Sequence, residues 1–322
     1  MIYAFGTSLI MLAGCSKETN LTGNSNNNLA LNLTPLTSTS LSAPINEAKV
    51  YKLLKGYDSS NNFEASGVKY VSGYFYAIFD NMFNIGKFVS TLPINSSSNS
   101  LSSGSSSSSN FEAITYDSYN TPNFYVADEN ESHNGEYSPK IYEYDASLNE
   151  QSTTWAPYSF SSADKNKGFE GLTWIRRNNN DYLLGLCERT GKIIVMEQSG
   201  SNWVKVDSIS MPAGTGMTDF SDIDISSSLR VGVTSQESSL LWIGQLSATS
   251  WTFVNAGTVY SFPTGDQNGN VGAGGYVLYG NVEGVSFITD TQVVVCSDKA
   301  GSDQPSYQSF KAQTISIFNL PQ

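Results

Sequence analysis

The run Phe169-Glu170-Gly171-Leu172-Thr173-Trp174, a polar turn around Asn178-Asn179-Asn180, and the run Tyr182-Leu183-Leu184-Gly185-Leu186-Cys187-Glu188 decide how this chain folds. Two apolar stretches of strand length joined by turn residues read as a β-hairpin. The pattern then recurs. Phe111-Glu112-Ala113-Ile114-Thr115-Tyr116 precedes Phe124-Tyr125-Val126-Ala127-Asp128-Glu129, and Val282-Glu283-Gly284-Val285-Ser286-Phe287 precedes Val293-Val294-Val295-Cys296-Ser297-Asp298. Two further copies carry Ser in place of Glu. They are Ser66-Gly67-Val68-Lys69-Tyr70 with Tyr74 to Asp80, and Ser221-Asp222-Ile223-Asp224-Ile225 with Val231 to Gln236.

The anchor residues Ser66, Glu112, Glu170, Ser221 and Glu283 are spaced by 46, 58, 51 and 62 residues. A period of this size marks a repeat architecture built from one sheet per unit. The tail after Glu283 falls short of a full unit, and residues 49–65, with the run Val50-Tyr51-Lys52-Leu53-Leu54, supply the difference. Completing the last unit with N-terminal chain removes exposed sheet edges, as a β-propeller does. The expectation is all-β: a five-bladed β-propeller over residues 49–322, four short antiparallel strands per blade, with an N-terminal strand closing the last blade. The Ser-rich run 96–109 predicts a flexible loop in the first blade.

The innermost strand of each blade lines the central channel, so five equivalent anchors form a ring at one mouth. The candidate metal ligands are therefore Ser66, Glu112, Glu170, Ser221 and Glu283. The second strand runs back, which places Asp80, Glu129, Glu188 and Asp298 in an outer acidic ring, with Gln236 at the fourth-blade position. Crowded carboxylates raise each other's pKa unless a cation intervenes. An all-oxygen donor set without His or thiolate suits Ca²⁺. Asp222 and Asp224 alternate on one strand face, as a second cation site or a polar rim.

Composition agrees. Seventeen Lys and Arg stand against 29 Asp and Glu, for a net charge of −12, and only 14% of residues are charged. No basic stripe exists to neutralise phosphates, which argues against nucleic acid as a partner. The single His, His133, leaves no basis for multi-His metal sites. Hydrophobic residues at 39% are enough for a sizeable core.

Residues 1–15 end in Leu12-Ala13-Gly14-Cys15, which resembles the bacterial lipoprotein signal, although no Lys or Arg precedes the apolar run. The resemblance implies lipidation at Cys15, and Ser16 after it implies the outer membrane, with anchoring by acyl chains. Residues 16–48, rich in Asn, Ser and Thr, predict a disordered tether. Cys187 and Cys296 fall in non-adjacent units, which predicts two buried free thiols.

The Ser-Glu-Glu-Ser-Glu order of anchors resembles the calcium-activated nucleotidase (apyrase) family. That likeness implies a central Ca²⁺ held by Ser66, Glu112, Glu170, Ser221 and Glu283. Glu170-Gly171-Leu172 with Leu186-Cys187-Glu188-Arg189-Thr190-Gly191 also resembles the phytase-like (esterase-like) and SdiA-regulated envelope propellers. The apyrases' Asp-Leu-Asp stretch before the first blade is missing from Lys49 to Asp58. Three readings follow. One is a Ca²⁺-dependent phosphohydrolase acting on a small anionic substrate, with Glu188, Arg189 and Asp298 as catalytic candidates and Lys299 as added positive charge. Another is a non-catalytic envelope module that binds a protein partner through the loops Asp128 to Tyr137 and Asp266 to Tyr276. The third is a glycoside hydrolase using acid pairs with Trp155, Trp174 and Tyr137.

Overall fold

The computed structural model describes residues 36–104, 109–119 and 122–321. The signal, Cys15 and most of the expected tether lie outside the described residues. Five sheets, each with an antiparallel four-stranded core, stand around a channel. Blade one comprises Ala65–Val71, Tyr74–Phe79, Met82–Val89 and Ser100–Leu101. Blade two comprises Phe111–Asp117, Asn123–His133, Glu136–Asp145 and Glu150–Trp155. Blade three comprises Phe169–Arg177, Asn180–Cys187, Lys192–Ser199 and Asn202–Ser210. Blade four comprises Phe220–Ile225, Arg230–Ser235, Leu240–Gln245 and Thr258–Ser261. Blade five takes Val282–Thr289, Gln292–Ser297 and Thr314–Asn319. Its fourth strand is Asn46–Lys49, so the N-terminal chain closes the ring.

Alternate side chains of each strand feed different interfaces. Leu183 packs toward blade two, and its neighbour Leu184 toward blade four. Both faces of each second strand are therefore buried over most of its length, which is why those strands read as nearly unbroken apolar runs. The core is divided into clusters at each blade-to-blade interface, and the one containing Val68, Phe75, Val294 and Ile317 joins blade five to blade one. The hairpin of blade three turns at Asn178 and Asn179, both with positive φ (51° and 66°), with Arg177 paired to Asn180. Consecutive left-handed residues are the signature of a tight hairpin turn, and Asn tolerates that conformation.

Three expectations shift. The closing strand is Asn46–Lys49, whereas Val50–Leu53 is a single helical turn. Val50 and Leu53 lie three apart, so one turn of helix buries both beneath blade one. The ordered fold also begins before residue 49. Thr37–Ser40 adds to blade four as a fifth strand, parallel to Thr258–Ser261. A polar segment can do this because an open sheet edge supplies the hydrogen bonds. Hydroxyl pairs Thr37/Thr258 (2.8 Å) and Ser40/Ser261 (2.7 Å) line the seam, and Leu41 is buried at its end. In the run 96–109, Ser100–Leu101 forms the outer strand of blade one, and Ser109 is buried with its hydroxyl donating to the Phe79 carbonyl (2.6 Å). Cys187 and Cys296 are buried and free, as expected. No helix among the described residues is long and apolar enough to cross a membrane.

Candidate metal centre at the acidic mouth

Every anchor sits in a β-bulge. In blade three Phe169 pairs with Cys187 and Gly171 with Leu186, so Glu170 has no partner across the ladder. The same irregularity isolates Ser66, Glu112, Ser221 and Glu283. A bulged residue leaves the ladder and re-aims its side chain. Repeated in five blades, it sets the anchors around one end of the channel. The residue after the anchor then lies against the next inner strand. A Cβ on Gly171 would stand 2.7 Å from the Ile223 nitrogen, and one on Gly284 2.7 Å from the Val68 nitrogen. The Gly of the Glu-Gly phrase therefore allows close approach of adjacent blades.

The outer positions are fixed by one backbone bond each. Asp80, Glu129, Glu188, Gln236 and Asp298 donate their N–H to the carbonyls of Glu64, Asn110, Gly168, Asp219 and Asn281 (2.9 to 3.3 Å). These acceptors all stand two residues before an anchor. Two of them, Glu64 and Asp219, are carboxylates of the same mouth that the sequence reading passed over. Aligning the repeats two residues further back would have found them.

The tightest grouping lies between blades two and three. Carboxylate oxygens of Glu129, Glu170 and Glu188 all come within 4.8 Å of one another. At an effective dielectric of ~20, two charges about 5 Å apart repel by roughly 3 kcal/mol, so the three cannot all stay ionised uncompensated. Burial, and after it the neighbouring carboxylates, push Glu112, Glu170 and Glu283 well above the usual range; Glu112 and Glu170 feel Glu129, and all three feel members of the outer ring. Burial first, then Asp298 and Glu64, push Asp80 up to about 8. Burial raises Asp298 to about 7. Glu188 is pushed up to about 8 by burial and by sharing a proton with Asp219. Glu188 Oε2 and Asp298 Oδ1 are buried and have no hydrogen-bond partner among the described residues.

Lys167 is the cation nearest this group. Its ammonium binds Glu188 and Asp219 (3.0 Å to the latter). Burial opposes its charge, but the two carboxylates outweigh that and hold its pKa above the ordinary value. Lys299 stands 3.7 Å from Glu64.

Several expected ligands have other duties. Ser66 donates its hydroxyl to the Phe111 carbonyl, and Ser221 donates to the Val282 carbonyl (2.9 Å). Each Ser thus ties its blade to the next, and the carboxylates that come together among the described residues are one inner and two outer acids. Arg189 is committed to an acid outside the two rings. Its exposed guanidinium is bound to Asp164, because the turn after Cys187 carries it outward. Asp222 and Asp224 form neither a rim nor a second cation site. Both are buried acceptors between blades four and five. Asp222 receives the N–H of Ile223 (2.7 Å) and Val285 (2.8 Å). Asp224 receives the Phe287 N–H (2.8 Å) and Ser286 hydroxyl (2.9 Å), and pairs with Lys69. Trp155 stacks on His133 in blade two (4.1 Å), and Tyr137 lies in the same hairpin. Trp174 stands four residues beyond Glu170, ~13 Å along an extended strand.

No family model matches the chain, and no curated protein matches it in sequence. Among solved structures, glutaminyl cyclase from Myxococcus xanthus superposes with a TM-score of 0.53 at 8% identity, covering 89% of this chain and 100% of that one. A calcium-binding protein, regucalcin, from Agrobacterium tumefaciens gives a TM-score of 0.49 at 7% identity, covering 89% of this chain and 96% of that one. At such identities the likeness shows the fold alone.

Proposed function

We propose that this propeller is a divalent-cation-binding module that takes Ca²⁺ at its acidic mouth. The observation that carries the reading is the grouping of Glu129, Glu170 and Glu188, with Glu188 Oε2 buried and without a hydrogen-bond partner among the described residues. Buried polar atoms are nearly always satisfied, so an unpartnered oxygen on a carboxylate grouped with two others supports a cation there. The donors are all hard oxygens, which suits Ca²⁺. Glu129, Glu170 and Glu188 would hold it, with Glu112 and Glu283 adding charge. When bound, the ion would supply the positive charge that lets these acids stay ionised at neutral pH. The lipoprotein-like signal at Cys15 supports placing the module on the bacterial outer membrane, where an envelope protein would be its partner.

A thermal unfolding pair tests this. Ca²⁺ at ~100 times its Kd would add about 2.7 kcal/mol of stability relative to chelator. Equal midpoints in Ca²⁺ and in chelator would sink the proposal.

A second reading, a cation-dependent phosphoester hydrolase, draws support from the openness of the cluster. Glu129 and Glu170 are partly exposed, so an ion there would keep positions for water and substrate. Against it, Arg189 is already paired with Asp164, and Lys167 is already bound by two acids. Turnover of phytate, nucleoside di- and triphosphates or an aryl ester that dies on chelation would establish this reading. Glycoside hydrolysis has less support, because Trp155, Tyr137 and Trp174 are not gathered at the acids.

A further inference from the structure

The repeat carries a second regularity that the cation reading does not use. The fourth residue after the anchor is aromatic in four blades: Tyr70 after Ser66, Tyr116 after Glu112, Trp174 after Glu170 and Phe287 after Glu283, the last buried in the core between blades four and five. These positions fall near the ends of the inner strands, away from the anchors. There the structure has a cavity of about 470 Å³, lined by Tyr70, Tyr116 and Trp174. That volume is within the ~300–1,000 Å³ of small-molecule sites.

The rest of the lining sets the chemistry. Ser72, Ser118, Ser226 and Ser227 also line it, together with aliphatic side chains such as Ile175 and Ile225. Two cations also reach the wall, and both are neutralised in place. Lys69 is paired with Asp224. Arg176 bonds both oxygens of Asp181 (2.8 Å each), and its guanidinium lies 3.7 Å from the Tyr119 ring centre. An anionic ligand would gain only by breaking one of these pairs. Aromatic faces offer large, rigid contact area with little loss of side-chain freedom, and Ser hydroxyls both donate and accept. A ligand that meets both has an apolar ring face and a rim of hydroxyls.

We propose that this second mouth binds a neutral saccharide, the sugar's C–H face lying on Trp174, Tyr116 and Tyr70 and its hydroxyls exchanging hydrogen bonds with the serines. The site is separate from the carboxylates of the other mouth, so it binds without hydrolysing.

The test is titration of the full chain, by tryptophan fluorescence and calorimetry, with cellobiose, maltose, lactose and N-acetylglucosamine. Glucuronic acid, glucose 6-phosphate and inorganic phosphate serve as anionic counterparts. At least one neutral sugar should saturate the protein. That affinity should fall at least about tenfold in Trp174→Ala and in Ser118→Arg, a change of ~1.4 kcal/mol. It should be unchanged by chelator and by Glu170→Gln. Ser118 is exposed, so its replacement blocks the cavity without touching the core, and it carries the test if Trp174→Ala does not fold. The proposal is overturned if no neutral sugar saturates, if Ser118→Arg binds as the parent does, or if an anion outcompetes the neutral sugars.

Discussion

The inner strands of blades four and five carry two kinds of buried acid a few residues apart. At the mouth stand Glu283, with Asp298 and Asp219 from neighbouring positions. Further in stand Asp222 and Asp224. The inner pair has its donors supplied: backbone N–H groups of Val285 and Phe287, the Ser286 hydroxyl, and the Lys69 ammonium. The outer group is only partly supplied: Lys167 serves Asp219 and, in blade three, Glu188, while Glu188 Oε2 and Asp298 Oδ1 are buried without partners among the described residues. A buried carboxylate thus says little by itself. Counting its donors separates a blade-to-blade tie from a place where a cation belongs.

The largest expected effect falls on the satisfied side. Asp224→Ala strands Lys69 in the channel and should cost about 3–5 kcal/mol in denaturant unfolding, the range for breaking a buried pair. A cost below about 1 kcal/mol would mean that Lys69 finds water, and the contrast would fail. Next comes the close contact between blades five and one. Gly284→Ala places a methyl 2.6 Å from Cys296 Sγ and 2.7 Å from the Val68 nitrogen. It should destabilise by ~1–3 kcal/mol, as overpacking does, read from the same unfolding curves.

Acidity should move the mouth the opposite way to most proteins. Asp80 and Glu188 near 8, and Asp298 near 7, hold protons more tightly folded than unfolded, where carboxyls titrate near 4. The folded state then binds more protons between roughly pH 4 and 8, so metal-free stability falls as pH rises through that window. Thermal midpoints in chelator should be higher at pH ~5.5 than at pH ~8. In saturating Ca²⁺ that trend should flatten or reverse, because the ion competes with those protons. A chelated protein most stable at pH ~8 would contradict the crowding argument.

Smaller effects sharpen the picture. Glu170→Gln should leave stability in chelator equal to or slightly above the parent's, the opposite sign to Asp224→Ala. Arg189→Ala should change stability by only about 0–1 kcal/mol, as exposed ion pairs do, and should leave the Ca²⁺ response intact. A lost response would return Arg189 to the mouth.

Much of this was legible in the sequence, for a stated reason. A residue that must do the same job in each blade recurs at the same place, so the anchors and the outer acids could be aligned by eye. The closure of the last blade followed from the length left over, although its closing strand is Asn46–Lys49 and the helical turn at Val50–Leu53 depends on tertiary burial. The strand Thr37–Ser40 was not legible, because its polar residues pair through backbone and hydroxyls with an edge that exists only in the folded blade four. Nor could spacing show that the anchors sit in bulges, that Ser66 and Ser221 tie neighbouring blades, or that Arg189 turns to Asp164. Those outcomes depend on which neighbour the folded chain brings near.

Calorimetric titration of Ca²⁺ into chelator-treated protein, beside the Glu170→Gln variant, tests the central claim most directly. The account predicts saturable binding to the parent chain, with loss of affinity of at least about 100-fold, or ~2.7 kcal/mol, in the variant. No saturable heat in the parent, or equal binding in both proteins, would contradict it.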